Sequence, residues 1–121
     1  MEVDKMMNLV LRFITFPMAV QVFKQDKDQF QKSKVYIIYF NLIDSILEKM
    51  QEDFNQLKAE MYSKHHLDVR YLGKENGMVK YTINKEEIGF SPNELRDNTE
   101  KLMREYLINA EIKSEELIWK N

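Results

Sequence analysis

Apolar residues recur at intervals of three and four positions between Ser33 and Tyr62. This is the period of an α-helix, so the pattern predicts a helix over about residues 33–62, roughly 42 Å long and the spine of the domain. The stripe consists of Val35, Tyr39, Leu42, Ile43, Ile46, Met50, Phe54, Leu57 and Met61. Acidic and amide side chains gather on the opposite side, as expected of a helix that buries one face.

The first turns of this helix are apolar nearly all round. Tyr36, Ile37, Tyr39 and Phe40 exceed what a single stripe needs, and we call these four residues the apolar collar. A helix that is apolar on several faces has to be covered on several faces. The cover is either the apolar N-terminal segment of the same chain or a second subunit. Because aromatic residues are favoured at interface centres, the collar is the candidate interface.

Two runs of alternating apolar and polar residues follow the helix. They predict a β-hairpin with strands at about residues 67–72 and 78–84, each with one apolar face. A lone hairpin is at best marginally stable in water, so this face has to pack on helices or be extended by a third strand. Part of the N-terminal segment, such as Met18–Phe23, is a candidate for that strand.

The turn of the hairpin decides which residues share a face. A two-residue turn at Asn76-Gly77 would set Tyr71 opposite Thr82 and place the apolar residues of the two strands on opposite faces. A three-residue loop that starts one position earlier, with Gly77 in the left-handed conformation, instead pairs Tyr71 with Tyr81. The sequence therefore predicts the three-residue loop.

A second long helix is predicted from a clear start signal. Ser91 is the expected N-cap, Pro92 fits the first helical position, and Glu94 can complete a capping box. An apolar stripe then continues, which predicts a helix over about residues 92–118, with a break near Lys113 as an alternative.

The N-terminal stretch Leu9–Phe23 is strongly apolar but contains Arg12 and Pro17. Its 15 or so residues fall short of the roughly 20 that a membrane-spanning helix needs, so we expect no membrane span. Acidic residues near the N-terminus also argue against a signal peptide. The stretch is predicted to be a buried element. Its first part is the more helical one, and the strand alternative applies to its end.

The length of the chain places these elements in one domain, residues 1–121, of the α+β class with mostly helix. Two long helices joined through a hairpin can fold back on each other, so we expect them to run antiparallel. The chain has 44% hydrophobic and 31% charged residues and only 3 Gly and 2 Pro, which favours long regular elements. The absence of Cys fits a reducing compartment, so a cytoplasmic location is expected.

No pattern of catalytic or ligand-binding residues stands out. His65 and His66 are adjacent and would point about 100° apart on a helix, which is not the spacing of paired metal ligands. Gly73 and Gly77 precede a strand rather than a helix N-terminus, so they predict a turn and not a phosphate loop. Paired glutamates lack a histidine or an apolar pocket that would raise a pKa. We therefore expect no catalytic residues, no metal and no cofactor.

Three classes of function remain. The leading hypothesis is a non-enzymatic protein-interaction or regulatory module that acts as a homodimer and can also bind another protein. The first alternative is a winged-helix-like nucleic-acid-binding protein with an exposed basic face of Arg70, Lys74 and Lys80. The uninterrupted helix ahead of the hairpin and the net charge of −2 argue against a nucleic-acid partner. The second alternative is an enzyme with an unrecognised site.

Overall fold

The computed structural model describes the backbone of residues 3–30 and 37–119 and the side chains of residues 4–28 and 41–110. Within these ranges the chain forms three helices and a three-stranded antiparallel sheet. In chain order the elements are α1 (Val3–Phe30), α2 (Ile37–Ser63), β1 (Val69–Glu75), β2 (Met78–Ile83), β3 (Glu86–Phe90) and α3 (Pro92–Trp119). The predicted α+β class with a majority of helix is confirmed.

The N-terminal segment is one continuous helix. Met18–Phe23 is helical, so the suggestion that it supplies a third strand is wrong. Pro17 lies inside the helix, where it removes one backbone donor, and its ring is exposed to solvent. The helix persists through the proline because residues on both sides of it, among them Ile14 and Ala19, are buried against the rest of the domain.

The hydrophobic core consists of two clusters that meet at α1. The first lies among the three helices and contains Phe16, Ala19, Phe23, Ile43, Ile46, Met50, Leu57, Met61, Leu102 and Tyr106. The second lies between α1, the sheet and the start of α3, and contains Val10, Ile14, Val79, Ile83, Phe90 and Leu95. Because α1 contributes buried residues to both clusters, it takes the central place that the sequence pattern assigned to α2.

Contacts between helices show their relative direction. Lys27 of α1 forms an ion pair with Asp44 near the start of α2, whereas Phe16 stacks on Phe54 further along α2 at 5.4 Å between ring centroids. Helices α1 and α2 are therefore antiparallel.

The two helices predicted to pair directly, α2 and α3, also meet in antiparallel order. Tyr106 contacts Asp53, and further along α3 Ala110 borders the same hollow as Ile46, which lies earlier on α2.

The sheet has the order β1-β2-β3, and its apolar face packs on α1. Tyr71 pairs with Tyr81 and Val69 with Ile83, so the predicted register of the hairpin is confirmed. Along β2, Val79 and Ile83 are buried and Tyr81 is half-buried. The hairpin thus holds part of the core.

The turn that produces this register differs from the predicted one. Glu75 pairs with Met78, so the turn has two residues, Asn76 and Gly77, both with positive φ (52° and 76°) as in a type I′ turn. The predicted three-residue loop is wrong. The register is corrected instead by a bulge at Leu72, next to Gly73 at φ 138°.

The third strand comes from the residues directly after the hairpin. Asn84 and Lys85 form another turn with positive φ (51° and 74°), after which β3 pairs antiparallel with β2. The Asn84 side chain accepts a hydrogen bond from the Asp68 backbone N–H at 2.8 Å, which ties this turn to the chain just before β1. The strand contains Glu86, Glu87 and Gly89, which are poor strand formers, and so gave little signal in the sequence.

Helix α3 begins as predicted. The Glu94 backbone N–H donates to Ser91 Oγ at 3.0 Å, which confirms Ser91 as the N-cap. In the part of the chain that the structure describes, no hydrogen bond returns from the Glu94 side chain, so the capping box is half formed. The helix continues through Lys113 without the break considered as an alternative.

Candidate functional site

An open apolar groove lies between α1, the inner face of the sheet and α3. We define it by Met18, Val22, Tyr71, Val79, Tyr81 and Met103, and its volume is about 670 Å³. Tyr71 is 59% exposed and Val22 is 36% exposed, so its walls reach solvent. The groove is therefore a shallow surface feature and not an enclosed cavity.

Aromatic side chains line the sheet side of the groove. Tyr81 lies between Tyr71 and Phe90, with ring centroids 5.4 and 6.0 Å apart and both contacts near edge-to-face. Phe90 is buried in the core, and Tyr71 ends the row in solvent. Burial, and secondarily the neighbouring Tyr71, raises the pKa of Tyr81, so the Tyr81 hydroxyl stays protonated at neutral pH.

The base of the groove offers no free polar group. Thr99 is buried there with its Oγ1 3.8 Å from the Met18 sulfur, and the hydroxyl donates to the Leu95 carbonyl at 2.7 Å. The hydroxyl proton is directed at a backbone carbonyl and not at a side-chain base, so the Thr99 hydroxyl is not arranged as an activated nucleophile. The described residues that line the groove thus present a mainly apolar surface.

Charged residues stand at the edge of the groove. Lys74 on β1 and Arg96 and Glu100 on α3 all line it and are all exposed. Arg96 donates to the Asn93 side-chain oxygen at 2.9 Å, a neutral acceptor that leaves its charge unbalanced. Within the described residues none of the three belongs to an ion pair. With two cations and one carboxylate, the edge of the groove carries one net positive charge.

A second candidate site is a polar cluster where the three helices meet. Tyr106 donates a hydrogen bond to Asp53 Oδ2, and Lys49 pairs with Asp53 Oδ1 at 3.3 Å. Arg12 pairs with Glu105, also at 3.3 Å, and its guanidinium lies 5.2 Å from the centre of the Phe16 ring. These side chains border a hollow of about 310 Å³.

The polar cluster has the features of a structural network. Both oxygens of Asp53 have partners, so the carboxylate is not free to act as a general base. Burial, and then the hydrogen bond to Asp53, raises the pKa of Tyr106, which keeps the phenol protonated as a donor. Each charged group of the cluster is balanced by its neighbour, and what the network does is hold helices together.

The structure divides the predicted basic face between two sides of the sheet. Arg70 and Lys80 lie on the outer face, where Arg70 pairs with Asp68 at 3.1 Å. The bulge at Leu72 shifts Lys74 to the inner face, opposite Val79 and beside the groove. The three cations do not form one patch.

The apolar collar, which is the predicted interface, lies mostly outside the residues whose side chains the structure describes. Tyr36 lies outside the described residues. Ile37, Tyr39 and Phe40 form the first turns of α2, and their side chains lie outside the described set. The Lys27–Asp44 ion pair places the start of α2 beside the end of α1.

The two histidines follow the end of α2. The helix ends at Ser63, and His66 adopts a positive φ of 51° in the turn toward β1. No group of three or more His, Cys, Asp or Glu side chains suited to a metal ion occurs among the described residues.

Helix α1 also meets the length and hydropathy of a membrane-spanning helix. The segment Asp4–Asp28 contains a window of mean hydropathy 1.5, of which 33% is buried in the domain. The core helix of a soluble protein passes the same test, and α1 contributes to both core clusters. The other residues of that window are half-buried or exposed.

Sequence reasoning missed the groove because its parts come from distant segments. Met18 and Val22 are four residues apart on one face of α1, and Thr99 and Met103 repeat this spacing on α3. Both pairs were available as a signal. The spacing does not show that α1 crosses the sheet, and the strand alternative for Met18–Phe23 would place Met18 within the sheet.

The fold and site define a small helix-rich α+β domain with an apolar surface groove and a structural polar cluster. The family model described as YhjD protein matches residues 1–111, so the chain belongs to the YhjD protein family. Searches of curated proteins and of solved structures find no match.

Proposed function

We propose that this protein is a non-enzymatic protein-interaction module that acts as a homodimer in the cytoplasm. The observation that carries the proposal is the incomplete burial of α1, since only 33% of the residues in its most apolar window are buried in the domain. Apolar residues that a core helix leaves accessible are a candidate contact for a partner.

The apolar collar extends the surface available for self-association. From Ile37 onward its backbone forms the first turns of α2, and the Lys27–Asp44 ion pair places a nearby part of α2 beside the end of α1. A two-fold dimer uses the same patch on both subunits, so one apolar collar would meet another. The collar is the dimer contact in this proposal.

The described chemistry gives no support to the two alternatives. Tyr106 and Asp53 are committed to each other, and the groove lacks a nucleophile, which disfavours an enzyme. Arg70, Lys74 and Lys80 are divided between two faces, which disfavours a basic wing for nucleic acid.

Sedimentation equilibrium of the wild type and of Tyr36→Lys tests the proposal. We expect a dimer at micromolar concentration for the wild type and a folded monomer for the variant, because a charge in an apolar contact cannot be desolvated cheaply. The matched control is Tyr62→Lys, at a residue that is 82% exposed near the other end of α2, and it should remain dimeric. A wild type that stays monomeric, or two variants that behave alike, would contradict the proposal.

A further inference from the structure

We propose that the apolar groove docks a segment of a different protein, an amphipathic helix whose apolar residues are flanked by carboxylates. The groove is lined by methionine, valine and tyrosine side chains supplied by α1, the sheet and α3. Methionine adapts to varied apolar shapes, and partly exposed tyrosine is a favoured anchor in protein interfaces. An open apolar trough between secondary-structure elements is the setting in which amphipathic helices bind.

Charge complementarity identifies the chemistry of the occupant. Lys74 stands on the sheet side and Arg96 on the α3 side, and within the described part of the chain neither has a carboxylate partner. Asn93 holds the Arg96 guanidinium in place through a 2.9 Å hydrogen bond, so Arg96 loses less conformational entropy when a partner binds. An acidic residue on each flank of a docked helix would neutralise both cations, and Glu100 would oppose a helix with the reverse pattern.

A second copy of this chain is a poorer occupant of the groove. In a two-fold dimer the same surface meets itself, so Lys74 and Arg96 of one subunit would approach the same cations of the other. Like charges brought together in this way oppose association. The groove is thus assigned to a different protein, whereas the dimer contact is proposed at the collar.

Selection from a phage library of randomised helical peptides tests the assignment, with counter-selection against Tyr71→Asp. We expect enriched peptides to carry apolar residues three and four apart with Asp or Glu beside them. Peptides enriched equally on the wild type and on Tyr71→Asp, or peptides enriched in Lys and Arg, would overturn it. A failure to enrich any sequence would overturn it as well.

Fluorescence polarisation with one selected peptide then tests the charges. The double variant Lys74→Glu and Arg96→Glu should weaken binding about tenfold or more, and a peptide with its acids changed to Lys should regain affinity for that variant. The control variant Lys85→Glu changes an exposed cation in the β2–β3 turn and should bind like the wild type. A double variant that binds the acidic peptide unchanged would refute the role of these cations. If saturating peptide converts a wild-type dimer to monomer in sedimentation equilibrium, the groove binds a second copy and the assignment fails.

Discussion

Tyr106 on α3 donates a hydrogen bond of 2.5 Å to the carboxylate of Asp53 on α2. Tyr106 is buried, and its ring also meets Phe16 of α1 edge-on at 6.0 Å between centroids. One side chain therefore connects all three helices. A neutral hydroxyl donating to a carboxylate is among the stronger protein hydrogen bonds, which makes this residue a test of how the helices are held.

Tyr106→Phe removes the hydroxyl and leaves the ring in place. We expect a loss of about 1 to 2 kcal/mol in the free energy of unfolding, since a hydrogen bond to a charged group is lost and Asp53 keeps only Lys49. Urea unfolding followed by circular dichroism measures it. Tyr62→Phe, at an exposed tyrosine of α2, is the matched control and should unfold like the wild type.

The same pair predicts a dependence of stability on pH. Burial, and then Asp53, raises the pKa of Tyr106 above its usual value of 10.0, so the unfolded chain loses this proton at lower pH than the folded chain. The stabilisation is complete below about pH 10 and declines as the pH rises toward the folded-state pKa. Urea unfolding at increasing pH should show the advantage of the wild type over Tyr106→Phe shrinking above about pH 10. An advantage that stays constant there would contradict the interpretation.

The bulge predicts different outcomes for two glycines of the sheet. Gly73→Ala should destabilise the protein by about 1 to 3 kcal/mol, because φ is 138° there and a side chain strains the backbone although no atom lies within 4 Å of the added Cβ. Gly89→Ala is the control: the atoms nearest to its added Cβ belong to the flexible Lys80 and Met78 side chains, and the cost should stay within about 0.5 kcal/mol. Thermal unfolding of both variants measures the difference, and equal losses would count against the bulge geometry.

The N-cap of α3 gives a third stability test. Ser91→Ala should cost about 1 kcal/mol, because the Glu94 N–H would lose its acceptor. Ser91→Asp supplies another acceptor and should retain stability. Ser45→Ala changes an exposed mid-helix serine whose hydroxyl donates to the Asn41 carbonyl, and denaturant unfolding should find it close to the wild type.

The hairpin illustrates how far sequence reasoning reaches. Alternation of apolar residues was enough to pair Tyr71 with Tyr81, because a one-residue slip would have moved a whole strand to the wrong face. The predicted three-residue loop that would produce this pairing is wrong. The chain uses the two-residue turn and accommodates the extra residue as a bulge at Leu72. A bulge interrupts the alternation at one position, and its only local sign in the sequence is Gly73 inside the strand.

The sequence alone determined the local structure of the chain. The helical period, the Ser91-Pro92 start signal and the strand alternation depend on contacts between near neighbours, and these predicted the class, the long helices and the hairpin register. Tertiary structure alone decided the central position of α1, the third strand and the apolar groove. Each of these depends on which distant apolar surface an element meets, and the packing of Met18 beside Thr99 has no counterpart in the spacing of residues along the chain.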